Sequence, residues 1–430
     1  MQFQRYIADT IVTCDAHNNV YSPGVIDIED GKIAFVGPAS PEMSTDVQTL
    51  QLGGLLMPGL VNAHCHTPMT LVRGAGDGLP LGRWLTEAMW PREGKMDEED
   101  AFWGMTLGSA EMFRAGVTTS CEMYLFEEAL VQAAKISQAR LVITPGVFKS
   151  SYSESRLQNF TDFYNLHHDP EGKITVGLGP HSAYDLGIPA CMELAEFARS
   201  LDLLFHIHLA ETREESSQLE SEYGKSIVEI LSENGILEGN VLAAHCVWVN
   251  DNDISLLADS NVSVAHCPVS NMKLGSGIAP IEKMINKGIT IGLGTDGPAS
   301  NDTLDLWEEV KIAALLARVN NLDATLITPS EALGMATRNS AKAIGLDQVG
   351  SLEAGWEADM IRIDTNYSTF TPSTDLNETL AHLVWSGASR EVTDVWVGGS
   401  KVLSEGELVT IDEEKALREV RERAFRLAED

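Results

Sequence analysis

Eight short apolar runs, most of them followed by helix-patterned sequence, constrain the fold of this chain more than any other feature. They lie at residues 55–63, 117–123, 141–147, 174–179, 203–209, 241–247, 262–267 and 289–294. Between them, residues 101–115, 127–139, 190–201, 226–234 and 278–286 show helical periodicity. Strands that alternate with crossover helices build a parallel sheet. Eight such units predict an α/β fold of the (β/α)8 TIM-barrel type, and a chain of 430 residues suits that barrel with insertions. Further helices are expected at 304–319 and 330–344.

The flanks read differently. Residues 1–55 are rich in Val, Ile and Tyr, and Asp30-Gly31 between two apolar runs signals a hairpin. Strand character returns at 359–363 and 392–397, with Gly398-Gly399 as a turn. Neither flank makes a core alone, so one small β-sandwich built from both chain ends is expected. The division is then 1–55, sandwich; 56–348, barrel; 349–430, the rest of the sandwich and a terminal helix. In that helix Leu417, Val420, Ala424 and Leu427 form an apolar stripe expected to dock on the chain's own surface.

Charge and hydropathy exclude some functions. With 63 acidic and 30 basic residues the net charge is −33, which argues against a nucleic-acid partner. The acid is spread along the chain, as in proteins of salt-adapted hosts. No apolar run approaches the roughly 18 residues of a membrane span. The first residues carry no secretion signal, so a cytoplasmic protein is expected. None of the six cysteines forms Cys-x-x-Cys, so no zinc ribbon or redox motif is signalled.

In barrels of this type chemistry sits at the C-terminal strand ends. The first run ends in His64 and His66. On a strand, residues i and i+2 share a face, so two imidazoles can aim at one point. Taken alone, the pair could equally be two satisfied polar residues. The fourth run ends in His181, the fifth in His206, His208 and Glu211, the sixth in His245, the seventh in His266 and the eighth in Asp296. Seven of the chain's eleven histidines collect there. Two His from run one, one from run five and the Asp of run eight would make an N3O set with an open position, which suits zinc or ferrous iron. Run four has no lysine of the kind that bridges two ions, which favours a single ion.

These ordered motifs resemble the amidohydrolase superfamily, and within it the 5-methylthioadenosine/S-adenosylhomocysteine deaminases and their chlorohydrolase-like relatives. The segments concerned are Pro58-Gly59-Leu60-Val61-Asn62-Ala63-His64-Cys65-His66, His208-Leu209-Ala210-Glu211-Thr212, Ala243-Ala244-His245-Cys246, His266-Cys267-Pro268-Val269-Ser270-Asn271, Gly294-Thr295-Asp296-Gly297 and Gly350-Ser351-Leu352-Glu353-Ala354-Gly355. The resemblance covers nearly the whole chain. It implies one divalent ion per subunit, Zn2+ or Fe2+, held by His64, His66, His208 and Asp296. It selects His208 over His206, which is then expected one layer deeper, in the core.

The resemblance also implies roles in catalysis. Glu211 would protonate the ring nitrogen beside the attacked carbon, His245 would orient the nucleophile, and Asp296 would take a proton from it. Glu93, in Trp90-Pro91-Arg92-Glu93, is implied to hold the ribose hydroxyls, His181 the base, and Arg156 the distal end of a nucleoside, with Glu211 and Asp296 also facing the substrate. A second family arginine would fall near Thr144-Pro145 and is missing. Recognition of the homocysteine carboxylate is therefore open. Glu122 and His266 are expected behind the site, and Trp84 as a pocket wall.

The implied function is metal-dependent deamination of the adenine ring of 5'-substituted adenosines (5'-methylthioadenosine, S-adenosylhomocysteine, adenosine) to the inosine product and ammonia. The alternatives are a deaminase or chlorohydrolase of another purine, a pterin or a triazine. A non-catalytic assembly role fits less well, because the four ligands and Glu211 are all present. The expected partner is a small nucleoside, with neither nucleic acid nor membrane, and a homo-oligomer stays open.

Overall fold

Every one of the eight runs contains a strand in the computed structural model, which describes residues 3–40, 48–386 and 389–429. In chain order the barrel strands are Leu60–Cys65, Val117–Glu122, Arg140–Ile143, Ile174–Val176, Phe205–Leu209, Val241–His245, Ser263–His266 and Ile291–Leu293. The first four pair in parallel as one arc and the last four as another. Parallel bridges join the arcs at Leu178 with Phe205 and at Cys65 with Asp296, and the Asp296 N–H donates to the His64 carbonyl at 3.0 Å. The order therefore returns to its start as a barrel.

Local chemistry sets the helix starts. The helix Glu98–Arg114 opens on a reciprocal capping box between Asp97 and Asp100, and Ile227–Glu233 on one between Ser226 and Glu229. Residues 330–344 form two helices, Pro329–Met335 and Arg338–Ala343. The chain breaks at Thr337, where the backbone of Gly350 packs so close that a Cβ on it would lie 2.7 Å from the Thr337 carbonyl.

The first apolar run divides at Gly59. Leu55–Pro58 lies antiparallel to Met360–Ile363 and parallel to Thr10–Val12, in a seven-stranded sheet drawn from both chain ends. Leu60–Cys65 then enters the barrel. A Cβ on Gly59 would lie 2.2 Å from the Thr118 side chain, so the crossing needs glycine. A four-stranded sheet, of Phe3–Ala8, Gly24–Glu29, Lys32–Pro38 and Thr49–Gln51, completes the small unit. Tyr6, Ile11, Ile26, Leu56, Met360 and Trp396 are packed in its core. Burying such side chains stabilises by roughly 1.5–3 kcal/mol each. Asp30 and Gly31 turn with φ of 50° and 87°, the positive angles of a primed hairpin turn.

The terminal helix is Glu413–Ala428 and buries Ala416, Val420 and Leu427. Leu417, expected on the docked face, is 44% exposed. Ala416 takes its place beside Val420 and Leu427, which are docked as expected, and Arg423 and Arg426 reach Asp100 on the helix Glu98–Arg114. Among the described residues no helix is long and apolar enough to cross a membrane.

Candidate metal centre and substrate pocket

His64, the last residue but one of its strand, is fully buried, and His66 follows one residue past the strand end, with ring centroids 4.8 Å apart. The Nδ1 of His66 lies 2.5 Å from the Met123 carbonyl, and that of His208 lies 2.8 Å from the His181 carbonyl. A carbonyl oxygen only accepts, so both Nδ1 atoms carry the proton and both Nε2 atoms present a lone pair. Those two Nε2 atoms are 3.3 Å apart. The Oδ1 of Asp296 is 3.2 Å from the His66 Nε2 and 3.4 Å from the His64 Nε2. The His64 Nε2 is buried without a hydrogen bond.

Lone pairs and a carboxylate that converge this closely repel one another unless a cation lies between them. The nitrogen and oxygen donors fit a divalent ion such as zinc. Burial lowers the His66 imidazole and the Asp296 carboxylate raises it, to about 9 on balance, so the Nε2 lone pair beside Asp296 draws a positive charge, whether a proton or a metal ion. Burial moves His64 and His208 below their ordinary values; Asp296 pulls His64 part of the way back, and the neighbouring imidazoles push both rings further down. His245 also reaches the cage. The donor atoms of His64, His208, His245 and Asp296 all lie within 4.8 Å of one another. Five Lewis bases thus share one centre, and distance alone does not choose four ligands from them.

The supporting side chains differ among the five. Asp296 turns its Oδ2 to the hydroxyls of Ser270 and Ser300, at 2.6 and 3.0 Å, which leaves Oδ1 facing the cage. Burial would raise its carboxyl, but His64 and His66 hold it well below the usual range. The Nδ1 of His245 lies 2.9 Å from the Oδ1 of Asn271, and its Nε2 lies 3.8 Å from the Oε2 of Glu211. Burial pushes the Glu211 carboxyl up, and His245 pulls it part of the way back.

Glu215 accepts from the backbone N–H groups of Ala210 and Glu211, at 3.3 and 2.9 Å, and so holds the strand end that presents Glu211. Ala210, His245, Cys246 and Asp296 all have φ between 48° and 74°. Left-handed backbone is strained for residues with a Cβ and clusters at functional sites.

The remaining expected residues fall around this centre. The Glu93 carboxylate accepts from the Tyr124 hydroxyl at 2.8 Å, and the Tyr124 ring lies 6.4 Å from that of His66. The His181 ring is 5.0 Å from His208 and 4.9 Å from Phe148, and burial lowers it to about 3, so it is neutral. Arg156 is already engaged: its guanidinium pairs with Glu127 at 2.5 Å and donates to the Gly146 carbonyl at 3.3 Å. His206 lies beneath His64 with no exposed surface. Glu122 accepts the Thr67 N–H at 2.7 Å and the Cys65 thiol at 3.2 Å, holding the turn after His66. His266 and Trp84 are buried, with the Trp84 indole N–H on the Ala75 carbonyl.

Sequence reasoning did not single out Glu215, Asn271, Tyr124, Ser270 or Ser300. Glu215 had a local signal, because Thr212-x-x-Glu215 is a capping-box spacing. The Thr212 hydroxyl does cap Glu215, but the Glu215 carboxylate goes to Ala210 and Glu211.

A parallel barrel whose strand ends gather imidazoles and a carboxylate is the framework of metal-dependent hydrolases. The chain belongs to the amidohydrolase family, which it matches over residues 55–402. It is 39% identical to the 5-methylthioadenosine/S-adenosylhomocysteine deaminase of Dictyoglomus thermophilum, over 87% of each chain. It is 36% identical to the 5'-deoxyadenosine deaminase of Methanopyrus kandleri, over 94% of this chain and 95% of that one. Among solved structures, an adenosine deaminase from Xanthomonas campestris with bound zinc superposes with a TM-score of 0.92 at 30% identity, over 99% of this chain and 98% of the other.

Proposed function

We propose that the chain hydrolyses the 6-amino group from the adenine ring of 5'-substituted adenosines, among them 5'-methylthioadenosine, S-adenosylhomocysteine and adenosine, and releases ammonia. The observation that carries this reading is the meeting of a buried cage of imidazole lone pairs and Asp296 with Glu211, a carboxyl raised toward its acid form. Amidohydrolases act on carbon–nitrogen bonds of this kind, and relatives over nearly the full length are named as deaminases of such nucleosides.

In this reading His64, His66, His208 and Asp296 hold one Zn2+ or Fe2+ ion. His245 stands apart from that set because it faces Glu211 and is fixed by Asn271. The ion, when bound, supplies the Lewis acidity that makes water a nucleophile near neutral pH. The water oxygen forms a bond to C6. Asp296 accepts one of its protons on Oδ1. Glu211 delivers its proton to N1; of the two protons that the water gives up, one passes to the amino group as the C6–N6 bond breaks and the other returns to Glu211. Ammonia leaves and the 6-oxo ring remains. His245 orients the incoming oxygen and stabilises the charge that develops on it. Glu93 accepts both ribose hydroxyls, as a carboxylate can with a cis-diol. His181, neutral and backed by Phe148, lies against the base. Six unpaired, buried cysteines fit a reducing compartment, the cytoplasm.

The test is an ammonia-release screen of these nucleosides, with bare adenine, guanine and a chlorinated triazine, on protein whose metal content is measured. Turnover of the nucleosides, slowed in Glu93→Ala far more for nucleosides than for adenine, is expected. Metal-loaded protein that acts on the triazine or guanine and on no adenosine would refute the reading.

A further inference from the structure

We propose that His206 is a positioning residue for the metal centre: it pins the ring proton of His64 on Nδ1 and so keeps the His64 Nε2 open toward the cage. This rests on the reading above that His64 holds the ion.

Hydrogen-bond direction decides the tautomer. The Thr144 hydroxyl oxygen is 3.0 Å from the Glu122 carbonyl oxygen and 3.0 Å from the His206 Nδ1. Two oxygens at that separation need a hydrogen between them, and only the hydroxyl has one. Thr144 therefore donates to Glu122 and accepts from the His206 Nδ1–H. The Cys121 sulfur, 3.6 Å from the same nitrogen, is a weaker partner. A neutral imidazole has one N–H, so the His206 Nε2 is an acceptor. Its neighbour at 2.8 Å is the His64 Nδ1, which must then donate. The other tautomer would put a hydrogen on the His64 Nε2, between it and Asp296, and close the cage.

His66 and His208 receive the same instruction from backbone carbonyls, of Met123 and His181. His64, one residue inside its strand end, takes it from a side chain. That explains a polar ring with no exposed surface inside the barrel, a position costly for any group not fully hydrogen-bonded. Partners behind metal ligands act in this way, by fixing tautomer and ring orientation.

The experiment measures zinc affinity by chelator competition on the full chain, with far-UV circular dichroism of each metal-free variant. His206→Leu is expected to bind zinc about 10–100-fold more weakly. His206→Gln is expected close to the parent, because its side-chain oxygen can accept from His64 while its amide donates to Thr144. Thr144→Val, which removes the acceptor for the His206 Nδ1–H at nearly constant volume, should loosen zinc, and Thr144→Ser should restore it. A folded His206→Leu with parental affinity overturns the inference, as does a His206→Gln as weak as the leucine variant. If His206→Leu does not fold, the Thr144 pair decides: a Thr144→Val equal to the parent refutes the relay. A parent chain that takes up no zinc would instead sink the metal reading itself, and this inference with it.

Discussion

Two carboxyls at the site are shifted in opposite directions. Asp296 lies against His64 and His66, which hold it well below the usual range, while burial pushes Glu211 up, with His245 3.8 Å from it. In the proposed reading that separation makes Asp296 the acceptor and Glu211 the acid. Glu211→Gln keeps the shape and removes the transferable proton. It should leave zinc content unchanged and lower kcat by about 10²–10⁴-fold in ammonia release; a variant within a few-fold of the parent would exclude Glu211 as the acid. In the proposed reading, specificity turns on Arg156. With Glu127 across it at 2.5 Å, it offers no free charge to a substrate carboxylate. We therefore expect 5'-methylthioadenosine to outrun S-adenosylhomocysteine in kcat/KM. Glu127→Gln should shift that ratio about tenfold toward S-adenosylhomocysteine, the worth of one charge-assisted hydrogen bond. An unchanged ratio would place the 5' substituent elsewhere. At this scale the residues that meet in the cage were legible, because His-x-His, His-x-x-Glu and Thr-Asp are local patterns at strand ends. Their holders were not. Asn62 and Thr295 exchange hydrogen bonds at 2.8 and 3.0 Å across 233 residues, and no spacing announces that.

Strands were easier to read than the joints between elements. Each barrel strand is a buried run, and such runs announce themselves. What periodicity could not show was the break at Thr337, the division of one run at Gly59, or the charged contacts that hold the terminal helix. Asp100 has no exposed surface and is met by Arg423 at 3.1 Å and by Arg426, as well as by the Asp97 N–H. Burial would raise its carboxyl, but Arg426, Asp97 and Arg423 bring it below the ordinary value. A folded-state pKa below the unfolded one contributes stability that is present above about pH 3.9 and is lost as pH falls through the folded value. Asp100→Asn should cost about 1–3 kcal/mol at pH 7, in urea midpoints, since Arg426 can turn to water when abandoned. The difference from the parent should shrink as the pH drops below 4. A difference that stayed constant to pH 3 would mean that the pair does not hold the helix by charge.

Across the whole molecule, excess negative charge is what most distinguishes the surface. Even with every lysine and arginine paired, 33 acidic side chains remain uncompensated, so the folded surface repels itself. The close pairs are of two kinds. Arg140 with Asp359 and Glu357 is buried, and salt barely reaches it. Arg83 with Glu87 and Lys283 with Asp251 are exposed, and such pairs contribute little to stability. Added salt therefore removes more repulsion than attraction. Between 0.05 and 1 M the screening length falls from above ~10 Å to ~3 Å, which isolates surface charges from one another. The zinc-loaded protein should gain several degrees in Tm over that range in sodium chloride, since each kcal/mol is worth about 2–4 °C in chains of a few hundred residues. Turnover of an uncharged nucleoside should stay nearly flat across it, because no field acts on a neutral substrate, whereas a 5'-phosphorylated adenosine should be a poor substrate that improves with salt. A Tm that fell with salt would show that paired charges, and not the acidic excess, govern the stability of this surface.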